Sequence, residues 1–252
     1  MRHPARLTYV GHSTVLLELD GARLLTDPVL RDRVGPLRRQ APTVPPAVYR
    51  DVDAVLISHL HWDHLDLPSL RLLRASTPLI VPRGAAGALR RRGFAAVEEL
   101  AVGEWAAVKH VRVQATPANH GGMGNPIAPG AAALGFVVSG SHSIYFAGDT
   151  DLFEGMADLA ETLDAALLPV WGWGPVLGPG HLDPARAATA LRLLRPRVAL
   201  PIHWGTLSPI GVARIGGRWL SEPPRAFARH AATVAPHVEV RVLTPGAFTV
   251  LT

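Results

Sequence analysis

His59-Leu60-His61-Trp62-Asp63-His64 places three imidazoles and one carboxylate within six consecutive residues. Neither helical nor strand periodicity calls for such a run. Dry ionisable groups cost several kcal/mol each unless they are paired or coordinated. Neutral imidazole and carboxylate suit zinc, iron and manganese, so one or two divalent ions would offset that cost. The preceding run, Asp53 to Ser58, reads as a strand buried on both faces and delivers His59 at its C-terminal end.

The elements on either side repeat this arrangement. Leu7 to Val10, Val15 to Leu19 and Arg23 to Thr26 read as strands, with Asp20-Gly21 as a hairpin turn. Pro28 to Tyr49 reads as a long loop rich in proline and arginine. Pro68 to Arg74 and Ala85 to Arg92 read as helices, the second closed by Gly93, with a strand at Leu79 to Pro82 between them. Val111 to Thr116, Gly135 to Val138, Ser143 to Ala147, Ala165 to Pro169 and Val198 to Ile202 read as further strands. Asp183-Pro184 opens a helix that reaches Leu194, Pro223 to Val234 is mostly helical, and Val238 to Leu243 is a last strand.

His59, His120, Asp149 and His203 each fall at or just beyond the C-terminal end of one of these strands. Side chains from several strand ends can converge on one edge of a sheet core, where α/β folds place their sites. His59 and His61 are two apart on extended backbone and point to the same side. His120 and His203 supply further imidazoles, and Asp149 can bridge. One ion would then rest on His59, His61, His120 and Asp149, and the other on Asp63, His64, Asp149 and His203. Two such ions share a water, lower its pKa to near neutrality and stabilise charge on the attacked group. Asp63 and Asp149 are therefore expected to take part in catalysis.

Composition narrows the alternatives. The chain has 252 residues, 48% of them apolar and 18% charged, enough for one well-buried domain spanning 1–252. There is no cysteine, which removes disulfides, thiolate nucleophiles and thiolate metal ligands. No apolar run is long enough for a membrane span, and the basic N-terminus lacks the apolar stretch of a signal peptide, so a cytoplasmic location is expected. The net charge is +5 and Lys109 is the only lysine. The arginines are scattered, so nucleic-acid binding is not expected from charge. Arg31, Arg33, Arg38 and Arg39 sit in the long loop, either to clamp an anionic small-molecule substrate or as a solvated surface. Trp171 and Trp173 are candidate pocket walls, with ordinary packing as the alternative. Gly121 to Gly130 has the composition of a lid.

The His59–His64 run resembles the HxHxDH motif of the metallo-β-lactamase superfamily, and His120, Gly148-Asp149 and His203 follow in that family's order. Gly11-His12-Ser13-Thr14, Leu25-Thr26-Asp27-Pro28, Tyr145-Phe146-Ala147-Gly148-Asp149-Thr150 and Ile202-His203-Trp204-Gly205-Thr206 resemble a narrower group. That group includes the N-acyl-phosphatidylethanolamine phospholipase D and L-ascorbate-6-phosphate lactonase families. The resemblance covers essentially the whole chain. It implies an α+β fold, a four-layer αββα sandwich with a dinuclear site at one edge, and hydrolysis as the reaction. His12 is expected either to support the metal ligands or to be a satisfied buried histidine. Asp27 is expected to hold the metal loop by hydrogen bonds. His181, two residues before Asp183-Pro184, occupies a place that the group associates with the substrate side of the site, so it is expected to act in catalysis by contacting the phosphate or leaving group, with ordering of the loop before the helix as the alternative; Gly180 beside it departs from the group's polar amide. The expected function is hydrolysis of a phosphodiester or phosphorylated small molecule with two divalent ions, zinc first and manganese or iron next. Lactone or carboxylic ester hydrolysis is the alternative. RNA processing would call for an exosite arm or a nucleic-acid domain, and redox diiron relatives usually carry Glu at the place of His61. A non-catalytic metal-binding module is the remaining alternative.

Overall fold

Short strand-forming runs separated by Gly and Asp turns assemble into two sheets in the computed structural model, which describes residues 3–121, 128, 130–159, 162–212 and 217–252. The chain begins with β1 (Ala5–Gly11), β2 (Thr14–Leu19) and β3 (Ala22–Thr26). The segment read as a loop over 28–49 instead contains β4 (Arg33–Val34), β5 (Leu37–Arg39) and a single helical turn α1 (Pro46–Tyr49). It is followed by β6 (Ala54–Leu56), α2 (Leu67–Leu70), β7 (Leu79–Pro82), α3 (Ala86–Arg90), β8 (Val97–Leu100), β9 (Trp105–Val108) and β10 (Val111–Pro117). The second half adds β11 (Leu134–Ser139), β12 (Ser143–Phe146), β13 (Ala165–Pro169), α4 (Pro184–Leu194) and β14 (Val198–Ile202). The chain ends with β15 (Leu207–Pro209), α5 (Glu222–Val234), β16 (Glu239–Val240) and β17 (Phe248–Leu251).

Among the described residues, one seven-stranded sheet runs β17-β1-β2-β3-β6-β7-β8 and the other β16-β14-β13-β12-β11-β10-β9. A small third sheet, β15-β5-β4, flanks them. Alternation with period two builds the layers. Leu7, Leu17, Leu24 and Leu56 from the first sheet join Val113, Phe136, Ile144 and Phe146 from the second in one buried cluster. The opposite face of the first sheet presents Leu16, Leu25, Val55 and Val81 to Leu70, Leu73 and Leu89 around α2 and α3. On the second sheet, Ala187 and Leu191 of α4 and Phe227 of α5 join the main core. The result is the four-layer αββα arrangement.

Most expected elements fall within a residue or two of their observed bounds, notably β2, β3, β7, β10 to β14, α4 and α5. The helix expected at Pro68 to Arg74 is a single turn, Leu67–Leu70, capped at its N-terminus by Asp66, which accepts from Ser69 N. The last expected strand shrinks to β16, while β17 pairs with β1 from the far end of the chain. β8 and β9 were not read as strands from sequence: β8 contains Glu98 and Glu99, and Trp105 on β9 faces outward and stacks beneath Arg112. The expected lid over 121–130 lies mostly outside the described residues.

The strand ends set the stage for a site. β3, β6 and β7 are mutually parallel, as are β12, β13 and β14. β1 and β10 each reach this direction through two antiparallel steps. Their C-terminal ends therefore open on one edge of the sandwich. The opposite edge is clasped by two hairpin turns, where Asp20 Oδ2 accepts from Ser141 N at 2.5 Å. That amide holds the Asp20 carboxyl below its ordinary value of 3.8. A carboxyl depressed by folding stabilises the native state above its unfolded pKa and loses that contribution as pH falls. Asp20→Ala is expected to lower stability in urea unfolding at neutral pH, with the gap to wild type shrinking as pH drops below 3.8. A gap that grows on acidification would contradict the clasp.

Candidate metal centre

β6 runs on through Ile57-Ser58 to present His59, and the chain then turns, with His64 N and Leu65 N both donating to His61 O. This turn folds Asp63 and His64 back beneath His59. The other strand ends add His12 after β1, Asp27 after β3, His120 after β10, Asp149 after β12 and His203 after β14. All of the residues singled out as ligands from sequence meet here, and so do His12, Asp27 and His181.

Two sets of ligand atoms form. His59 Nε2 and His120 Nε2 each lie 3.0 Å from His61 Nδ1. His64 Nε2 and His203 Nε2 are 3.1 Å apart, and Asp63 Oδ2 is 3.7 Å from each. Asp149 stands between the sets, with Oδ2 at 3.0 Å from His64 Nε2, 3.2 Å from His203 Nε2 and 3.3 Å from His181 Nε2. Among the described residues, four groupings satisfy metal-ligand spacing around this centre: His59-His61-His120, His12-Asp63-His64-His203, Asp27-His59-His64 and His120-Asp149-His181.

The protons on the outer ring nitrogens explain why this arrangement suits cations. His64 Nδ1 donates to Asp27 Oδ2 at 2.8 Å. His203 Nδ1 donates to Trp171 O at 2.9 Å, and His120 Nδ1 to Gly180 O at 2.8 Å. His59 Nδ1 donates to Ser58 Oγ at 2.9 Å, and Ser58 Oγ donates in turn to Asp27 Oδ2 at 2.6 Å. In the neutral ring each of these four imidazoles then carries its lone pair on Nε2, aimed inward. Lone pairs about 3 Å apart repel unless a proton or a metal lies between them. Asp149 Oδ1 is buried without a hydrogen-bond partner among the described residues. The donor set fits divalent ions bound through nitrogen and oxygen.

The electrostatics agree. Burial alone would lower His64 and His203, yet Asp149 and Asp63 outweigh it, raising His203 to about 9 and His64 well above its ordinary value. Burial and neighbouring imidazoles instead push His59 well down, and His61 and His120 down. Burial would raise Asp63 and Asp149, but the imidazoles around them hold both well below the carboxylate range. Two dry anions thus draw in positive charge, which bound ions would supply.

His12 is fully buried, and its Nε2 lies 3.0 Å from Asp63 Oδ2. Burial and His203 lower its pKa to about 3, so the ring is neutral and donates to the carboxylate. Asp27 accepts from Ser58 N, Ser58 Oγ and His64 Nδ1, tying the strand end to the turn. His12, Asp27 and His203 all adopt positive φ, at 56°, 31° and 60°. Non-glycine residues in that region cost roughly 1–3 kcal/mol each and persist where the surroundings over-determine them. Thr206 Oγ1 accepts from His12 N, His203 N donates to His12 O, and Thr14 Oγ1 donates to Asp27 O. Gly148 is required as well: at its φ of 61° a Cβ would come within 2.5 Å of Ser58 Cβ.

Two expectations change. Arg31 does not face an anion site, because its guanidinium grips Asp66 through two hydrogen bonds of 2.7 and 2.8 Å. Arg39 is buried and donates to Val10 O, Val29 O and Pro42 O, so it braces backbone. Arg33 and Arg38 remain exposed. Sequence reading missed Ser58 and Thr206. Ser58 ends the strand directly before His59, and Thr206 closes the motif that begins at Ile202, three residues after His203. The carbonyls of Trp171 and Gly180 carried no side-chain signal.

Known proteins place the chain. A family model described as a β-lactamase superfamily domain matches residues 22–204. A metal-dependent hydrolase of Methanopyrus kandleri is 32% identical over 247 residues, covering 96% of this chain and 97% of its own length. An N-acyl-phosphatidylethanolamine-hydrolysing phospholipase D of Caenorhabditis elegans is 30% identical over 234 residues, covering 81% of this chain and 64% of its own length. The solved structure of a metallo hydrolase from Ignicoccus hospitalis superimposes with a TM-score of 0.76 at 24% identity, covering 99% of both chains. With its two-sheet sandwich and its histidine–aspartate centre at the strand ends, the chain belongs to the metallo-β-lactamase superfamily.

Proposed function

We propose that this chain is a single-domain, cytoplasmic metal-dependent hydrolase of a phosphodiester or a related phosphorylated small molecule, using two divalent ions, zinc foremost. The observation that carries this reading is the set of inward-facing nitrogens grouped on either side of Asp149. His59, His61, His120 and Asp149 would hold one ion, and Asp63, His64, Asp149 and His203 the other. When bound, such ions acidify a water and offset the charge that develops on the phosphoryl oxygens. The relative in Caenorhabditis elegans, a phospholipase D by name, favours phosphorus over a carbonyl carbon as the point of attack.

The protein's own groups divide the remaining work. Asp27 and Ser58 fix the tautomers of His64 and His59. His12 holds Asp63 in place. His181 is partly exposed, with Nε2 3.3 Å from Asp149 Oδ2, and the Asp149 carboxylate raises its pKa against burial. In this reading it contacts the phosphate or the leaving group. No helix among the described residues is long and apolar enough to cross a membrane.

Three outcomes test this reading. The metal-stripped protein, reloaded with Zn²⁺, Mn²⁺ or Fe²⁺, is expected to hydrolyse bis(p-nitrophenyl) phosphate in preference to a panel of lactones. Turnover of lactones alone would overturn the phosphodiester assignment, and no turnover of any ester with metal bound would overturn hydrolysis. Asp63→Ala and His203→Ala are expected to lower kcat/KM by more than roughly 100-fold while circular dichroism stays native. Asp27→Ala is expected to weaken metal binding by about 10–100-fold in competition with a chelating dye. Since metal binds the native state alone, chelation is expected to lower Tm and zinc to restore it. A Tm indifferent to chelator would count against the site.

A further inference from the structure

Exposure shows which side of the metal centre a substrate can reach. His61, His120 and His181 are partly exposed, whereas the two carboxylates between the imidazole sets and the other imidazoles are buried. Two exposed tryptophans belong to segments that carry this centre. Trp62 lies between His61 and Asp63 in the chain and is 40% exposed. Trp173 is 36% exposed, in the segment whose Trp171 and Gly180 carbonyls hold His203 and His120. Their ring centroids are 5.9 Å apart, with the planes inclined at 46°.

The floor beneath Trp62 is backbone. Gly35, in the turn between β4 and β5, has φ 53°, and a Cβ there would lie 3.4 Å from Cε3 and Cζ3 of the indole. Arg33 Nε donates to Gly35 O at 3.3 Å, which holds an exposed guanidinium on the same turn. Trp171, two residues from Trp173, has different surroundings. Its Nε1 donates to Gly174 O, and it lines a separate cleft of about 380 Å³ with Trp219 and Pro223. The Trp62–Trp173 pair therefore does not belong to the packing of that cleft. It leaves two large apolar rings partly in water, one next to His61 in the chain and the other two residues from the Trp171 carbonyl that holds His203.

We infer that Trp62 and Trp173 form an aromatic ledge that receives a flat apolar group of the substrate, an aryl ester substituent, and so determine specificity. The inclined rings offer both a face and an edge, the arrangement in which aromatic groups attract each other beyond simple area burial. The inference rests on the proposed reaction only for the identity of the scissile group. Binding of the aryl group depends on the ledge alone.

The test titrates the zinc-loaded protein with phenylphosphonate and methylphosphonate in a calorimeter, since the two share an anionic head and differ in the apolar group. Wild type is expected to bind the phenyl compound about tenfold more tightly, and Trp62→Ala or Trp173→Ala to reduce that ratio to about threefold or less. Trp62→Phe, which keeps a ring over Gly35, is expected to retain most of the preference. Equal affinities in wild type, no binding of phenylphosphonate, or a preference that survives both alanine substitutions would overturn the ledge. A phenyl preference without turnover of any phosphodiester would sink the proposed reaction and leave the ledge standing.

Discussion

The structure depends on four imidazole N–H groups that point away from the centre they surround. Once His64 donates to Asp27, His59 to Ser58, His120 to Gly180 O and His203 to Trp171 O, the inner nitrogen of each of these four neutral rings is an acceptor. The two sheets then bring His64 Nε2 and His203 Nε2 to 3.1 Å, and His59 Nε2 and His120 Nε2 each to 3.0 Å from His61 Nδ1, around buried carboxylates. Without compensating charge this is a costly arrangement for a folded protein. Protons relieve it partly, as the raised pKa values of His64 and His203 show. Divalent ions relieve it more completely, which couples metal binding to folding.

The backbone around the centre carries its own cost. His12, Asp27 and His203 occupy the left-handed region without being glycine. That geometry turns each side chain from the strand direction toward the centre. Threonine hydroxyls and the crossed bond from His203 N to His12 O hold it there. Arg39 contributes from the third sheet by donating to Val10 O, just ahead of Gly11-His12. Arginines that suggested an anion clamp are thus partly converted to scaffold. Arg31, locked to the buried Asp66, ties the start of the same segment to the turn that follows the metal motif.

The chemistry of the centre was written locally. Histidine and aspartate at tight spacing exclude ordinary packing wherever they fall. Continuous apolar runs of four or five residues mark strands such as β7, β13 and β14 by their length and their bounding residues. β17 was hidden because its partner, β1, lies at the opposite end of the chain. β8 was hidden because its two glutamates break the apolar pattern.

The sequence by itself determined which residues could bind metal, that they would stand at strand ends, and that no thiolate would take part. These follow from side-chain chemistry and from periodicities of a few residues. Only the tertiary structure decided which nitrogen of each ring faces inward, that Arg31 and Arg39 are spent on Asp66 and on backbone carbonyls, and that Trp62 meets Trp173 over Gly35. Those choices are made by partners tens of residues away, through hydrogen-bond directions and surface contacts that spacing along the chain does not encode.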